Sequence, residues 1–95
     1  SCVLCNIHAL EREIILHLIN EKRQIQSSIK ELEAKLPSYF YRLHRSYFVN
    51  CNYVAKLERY ELTLVTGERL PIPKMRYTQI RDDITEMIQK KKKRT

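Results

Sequence analysis

The run Tyr39-Phe40-Tyr41-Arg42-Leu43-His44-Arg45-Ser46-Tyr47-Phe48-Val49-Asn50 limits what this chain can fold into more than any other stretch. It interleaves aromatic residues with two arginines and a histidine, and it holds no acidic residue, Gly or Pro. An unbroken strand would send alternate side chains to opposite faces. Phe40, Arg42, His44 and Ser46 would then share one side, and Tyr41, Leu43, Arg45 and Tyr47 the other. Neither side is cleanly apolar, so the strand must break near His44-Arg45-Ser46, where the aromatics can turn inward while the basic groups stay in water. A basic loop between two apolar anchors suits contact with nucleic acid.

Short strands with turn signals account for most of the remaining chain. Val3 to Ile7 predicts one strand, and Glu13 to Ile19, apolar on both faces, predicts another that is covered on two sides. After a turn at Asn20-Glu21, Lys22 to Gln26 returns as a more polar edge strand. Ser28-Ile29-Lys30-Glu31 forms a capping box that starts a helix; Ile29, Leu32 and Leu36 line one stripe of it and Pro37 ends it. Tyr53 to Leu57 and Tyr60 to Val65 predict two further strands. The chain's single glycine makes the turn Thr66-Gly67-Glu68, and Pro71 places the returning strand at an edge. Pro73 can open a helix in which Tyr77, Ile80, Ile84, Met87 and Ile88 recur at helical spacing.

Ninety-five residues suffice for one domain with a modest core. No stretch approaches the roughly 20 apolar residues that span a bilayer, and no secretory signal precedes the first residues. Three cysteines, an odd number, fit a reduced, cytoplasmic protein better than a disulfide framework. The net charge of +7 is unevenly placed. Residues 1–35 carry five basic and five acidic side chains, 36–60 four and one, 61–73 one and two, and 74–95 eight and three. The excess on the central run and the C-terminal segment is the distribution of a surface that faces a polyanion.

Arg42-Leu43-His44-Arg45-Ser46-Tyr47-Phe48-Val49-Asn50, preceded by the Lys30-Glu31-Leu32 helix and followed by Tyr53-Val54 and by Thr66-Gly67-Glu68-Arg69-Leu70-Pro71-Ile72, resembles the LytTR DNA-binding domain from about Cys2 to Ile88. That domain is the effector half of many bacterial response regulators. The resemblance implies a mainly β fold with minor α content: an elongated arrangement of small antiparallel sheets with one short internal helix and a C-terminal helix. It divides the chain into a domain over 1–89, lacking the family's first strand, and a basic, disordered tail over 90–95. It implies sequence-specific binding to double-stranded DNA bearing direct repeats, with loops entering successive major grooves of a bent duplex. It further implies transcriptional control in a two-component system, an N-terminal receiver domain outside this chain and a homodimer on DNA.

The residues expected at the DNA are Arg12 in the first loop, His44, Arg45 and Ser46 in the central one, and Lys74 and Arg76 in the last. Arg45 can pair bidentately with guanine, or serve only as a surface charge. Ser46 can meet a phosphate or cap its own loop, and His44 is expected as a support for that loop. Arg12 can instead pair with Glu11 or Glu13. Lys74 and Arg76 depart from the family pattern, because Pro73 replaces a serine and Met75 stands where a basic group is common. Asn50 is expected to satisfy backbone groups in a turn. Cys2, Cys5 and the histidines lack a second closely spaced ligand pair for zinc, so Cys5 and Cys51 read as small buried hydrophobes, and Met75 and Met87 as packing residues. No cofactor is expected, and no carboxylate pair, nucleophile–base couple or phosphate loop suggests an enzyme. A competing reading is a basic β-rich module for single-stranded DNA or RNA that stacks bases on Tyr39, Tyr41, Tyr47 or Tyr53. It requires these tyrosines to be exposed.

Overall fold

The two faces of one five-stranded sheet organise the molecule, each closed by a different layer. The structure is a computed structural model that describes residues 3–93, with side chains to residue 89. The strands are β1 (Leu4–Ala9), β2 (Ile14–Leu18), β3 (Lys22–Ile25), β4 (Phe40–His44), β5 (Tyr47–Asn50), β6 (Val54–Glu58), β7 (Glu61–Leu64) and β8 (Arg69–Pro71). The helices are α1 (Ile29–Lys35) and α2 (Tyr77–Lys93). The first sheet has the order β3-β2-β1-β5-β4 and the second β6-β7-β8, with every pairing antiparallel. The mainly β class with one internal and one C-terminal helix is as the sequence implies. The Cα extents are 34 × 33 × 26 Å.

On one face of the larger sheet, Ile7, Ala9, Ile14 and Phe48 pack against Leu32 of α1, with Ile29 and Leu36 at the margin. Helix α1 forms where the cap predicts it: the Glu31 N–H donates to Ser28 Oγ at 3.2 Å. Only half of the expected reciprocal box is built, because the Glu31 carboxylate takes the hydroxyl of Ser27 instead. On the other face, Cys5, Leu43 and Val49 share a core with Leu62, Leu64, Leu70 and Ile72 of the second sheet and with Ile80 and Ile84 of α2. Edge strand β3 is exposed throughout, as its polar sequence predicts, and β8 with Pro71 is an edge of the smaller sheet. Gly67 has φ +95°, the left-handed conformation that its turn needs and that other residues rarely adopt.

Two polar links join the layers. Glu68, in the β7–β8 turn, accepts from Asn6 Nδ2 at 3.1 Å and lies 2.7 Å from His17 Nδ1. Donating that amide fixes the orientation of fully buried Asn6, and its Oδ1 is left without a hydrogen-bond partner, a cost on the order of 1–3 kcal/mol. The second link is the Tyr41 hydroxyl, which donates to Asp83 of α2 at 2.6 Å. Cys51, just beyond β5, meets Met87 of the same helix at 3.8 Å between sulfurs. These two contacts tie α2 to β4 and to the segment after β5.

Helix α2 continues four residues beyond the expected limit, to Lys93. Lysine is a good helix former, and cations are favoured at a helix C-terminus. Arg94 and Thr95 of the expected tail lie outside the described residues, as does Cys2.

Burial, and then the bond to Asp83, push the Tyr41 phenol up to about 12, with Arg76 pulling weakly the other way. Because this value lies above the roughly 10 of a free tyrosine, the folded chain holds the proton more tightly than the unfolded one. The stability it contributes is complete below about pH 10 and is lost as pH rises toward 12. Ultraviolet titration should therefore show one tyrosinate forming last. Tyr41→Phe should remove that step and flatten the alkaline fall in stability; an unchanged titration would refute the assignment.

Candidate nucleic-acid interface

The break expected in the central run is a bulge followed by a two-residue turn. Arg42 pairs with Phe48 and His44 with Tyr47, which leaves Leu43 as an extra residue on β4. Two-residue hairpins ordinarily use mirror-image turns with positive φ, and among the described residues none other than Gly67 has positive φ. The bulge supplies the additional twist by which Arg45-Ser46 closes without such a conformation. It also resolves the alternation problem: Tyr41, Leu43, Tyr47 and Val49 all contribute to the core between the sheets, while Arg45 is exposed.

The turn is braced on both sides. His44 Nδ1 accepts the Ser46 N–H at 3.1 Å, which puts the ring proton on Nε2 when the histidine is neutral. Arg42 Nη2 donates to the Arg45 carbonyl at 3.1 Å while its Nη1 pairs with Glu33 of α1 at 3.0 Å. The Arg42 guanidinium lies 5.5 Å from the Phe48 ring centre. His8 stacks on Tyr47 at 4.5 Å, and burial, followed by the charge of His17, lowers its pKa. His8 thus adds shape and no charge. Asn50 accepts from the Asn52 N–H and donates to the Leu4 carbonyl, both at 2.9 Å, the structural role expected of it.

The Arg12 turn adjoins the Arg45 turn. The Ala9 N–H donates to the Ser46 carbonyl at 2.8 Å, and the Leu10 N–H closes the β1–β2 turn on Glu13 O at 2.8 Å. Lys74 and Arg76 occupy a 3-10 turn, Lys74–Arg76, between β8 and α2. The β6–β7 turn meets them there, since the Ile72 N–H donates to the Tyr60 carbonyl at 3.0 Å. Tyr60 and Tyr77 pack edge to face at 5.6 Å. Lys74 Nζ lies 5.5 Å from the Tyr60 ring centre, and the Arg59 and Arg81 guanidinium carbons lie 6.0 and 5.9 Å from that of Tyr77. Sequence reading missed Arg42, Arg59 and Arg81. The signal for Arg59 was available: a basic residue in a hairpin turn next to tyrosine.

The ion pairs divide the arginines. Among the described residues, Arg23, Arg42, Arg69 and Arg81 pair with carboxylates. Arg12, Arg45, Arg59 and Arg76 do not, and each of these four stands exposed in a connection between elements. Arg12 does not pair with its neighbours Glu11 and Glu13. Tyr41, Tyr47 and Tyr53 pack against the core, leaving Tyr39 as the exposed member of the four stacking candidates. Met87 packs as expected, whereas Met75 is completely exposed and is no packing residue. Cys5 and Cys51 are buried, and burial raises both thiol pKa values, that of Cys51 to about 11.

The sequence model of the LytTr DNA-binding domain matches residues 4–85. The chain belongs to the LytTR DNA-binding family. Among solved structures, one similar fold is the LytTr DNA-binding domain of a methyl-accepting/DNA response regulator from Bacillus cereus, with a TM-score of 0.71 and 23% identity. The match covers 86% of this chain and 80% of that one. Comparison with curated proteins gives no match. This LytTR domain therefore carries its unpaired arginines on the turns of a DNA-binding fold. Among its described residues no helix is long and apolar enough to cross a membrane.

Proposed function

We propose that this LytTR domain binds double-stranded DNA sequence-specifically, as the output module of a two-component response regulator that controls transcription. The observation that carries this reading is the placement of Arg12, Arg45, Arg59 and Arg76: exposed, free of carboxylate partners and confined to connections.

Arg45, on its braced turn, is suited to a guanine edge in a major groove. Ser46 and His44 shape that turn, and Arg12 extends it along the backbone. Lys74, Arg76 and Arg59 form a second basic station that meets phosphates and the next groove, and DNA bending adds indirect readout. Two stations on one protomer fit a site read in parts, so that two copies on direct repeats, brought together by a receiver domain, would read the whole.

Fluorescence anisotropy on a panel of duplexes across a salt series tests the proposal. One class of direct repeat should bind at least about tenfold tighter than scrambled DNA, with affinity falling steeply as salt rises. Equal affinity for every duplex, or preference for single strands, would overturn it.

A further inference from the structure

Met75 is 100% exposed, while the other large hydrophobic side chains at the surface retain partial cover, Val65 coming next at 59%. Single exposed apolar residues are ordinary on protein surfaces. This one stands apart in its support and its neighbours. The Arg76 N–H donates to the Pro73 carbonyl at 3.1 Å, and the Tyr77 N–H returns to the Lys74 carbonyl. Buried Ile72 and Ile80 anchor the connection on either side. The thioether therefore projects from a fixed turn. Lys74 and Arg76 flank it, and Arg59 lies close by on Tyr77.

An apolar tip between two cationic residues of one turn complements a DNA groove, where phosphates border base edges. The apolar feature offered by the major groove is the 5-methyl group of thymine. Methionine and arginine are also common at protein interfaces, but the net charge of +7, with its excess on the central and C-terminal segments, favours a polyanion here. Methionine is unbranched and polarizable, so it can settle on a methyl group without demanding one geometry.

We propose that Met75 is a specificity-determining residue that packs on a thymine methyl while Lys74 and Arg76 hold the adjoining phosphates. This rests on the duplex-binding reading above and assigns thymine to the second station.

The test uses the tightest direct-repeat duplex for the wild-type chain, with each thymine replaced in turn by uracil, which deletes only the methyl. At one position in each repeat, uracil should weaken wild-type binding about fourfold, the worth of burying one methyl-sized apolar group. Met75→Ala should lose a similar factor on the thymine duplex and show no further loss on the uracil one. Met75→Leu, which keeps an apolar tip, should retain discrimination. Because the site is fully exposed, these variants should fold as the wild type does, which equal melting temperatures would verify. Wild-type indifference to every replacement, or discrimination that survives in Met75→Ala, would overturn the assignment and leave duplex recognition standing. Failure of the wild type to prefer any duplex would instead remove both.

Discussion

Leu43→Ala should destabilise the domain by about 3 kcal/mol and lower its melting temperature by roughly 12–24 °C. Leu43 is completely buried between the two sheets, so truncation removes apolar contact and leaves a cavity that its neighbours can fill only in part. It is also the bulged residue of β4. Its side chain fixes where the strand departs from regular pairing, and with it the position of Arg45 two residues later. Val65→Ala supplies the contrast: at 59% exposure the same kind of truncation should change stability by no more than about 0.5 kcal/mol. Denaturant unfolding of both variants checks the prediction. Equal, small effects would mean that Leu43 does not anchor the bulge, and the account of the central turn would need another support.

Much of this architecture was legible in local sequence signals. Ser28 caps α1, Gly67 supplies the positive φ of the β7–β8 turn, and Pro71 lies in an edge strand, because each choice is dictated by backbone chemistry within a few residues. The need for a break near Arg45 was legible too, from the failed alternation of Tyr39 to Asn50. Its form was not, since a bulge arises from pairing with β5 and leaves no local mark at Leu43.

The inter-sheet link from Glu68 to Asn6 and His17 was equally hidden, as it joins residues 62 and 51 positions apart. The same limit governs the candidate interface. Arg12, Arg45, Lys74 and Arg76 could be named from type and resemblance, but the adjacency of the Arg12 and Arg45 turns is a property of the β1–β5 pairing. The addition of Arg59 comes from the contact of Tyr60 with Tyr77. Met75 was misread because methionine usually packs, and only the direction of the 3-10 turn reveals its exposure.

Arg45 holds the centre of the functional account. Its side chain is exposed, so replacing it disturbs no core. The groups that shape its turn, His44 Nδ1 and the Arg42 guanidinium, act on the backbone and remain in place without it. Arg45→Ala should therefore fold normally and lose only the base recognition of the central turn. A well-placed bidentate arginine is worth about 1–3 kcal/mol of discrimination against the wrong base, or roughly tenfold and upward. Lys74→Ala, by contrast, should weaken all duplexes alike and reduce the slope of affinity against salt by about one unit. The decisive measurement is the ratio of affinities for the preferred and scrambled duplexes in Arg45→Ala. The account predicts that the ratio falls at least about tenfold, to the few-fold preference that Met75 would supply, with salt-dependent binding retained; a ratio as large as that of the wild type would show that the central turn does not read bases.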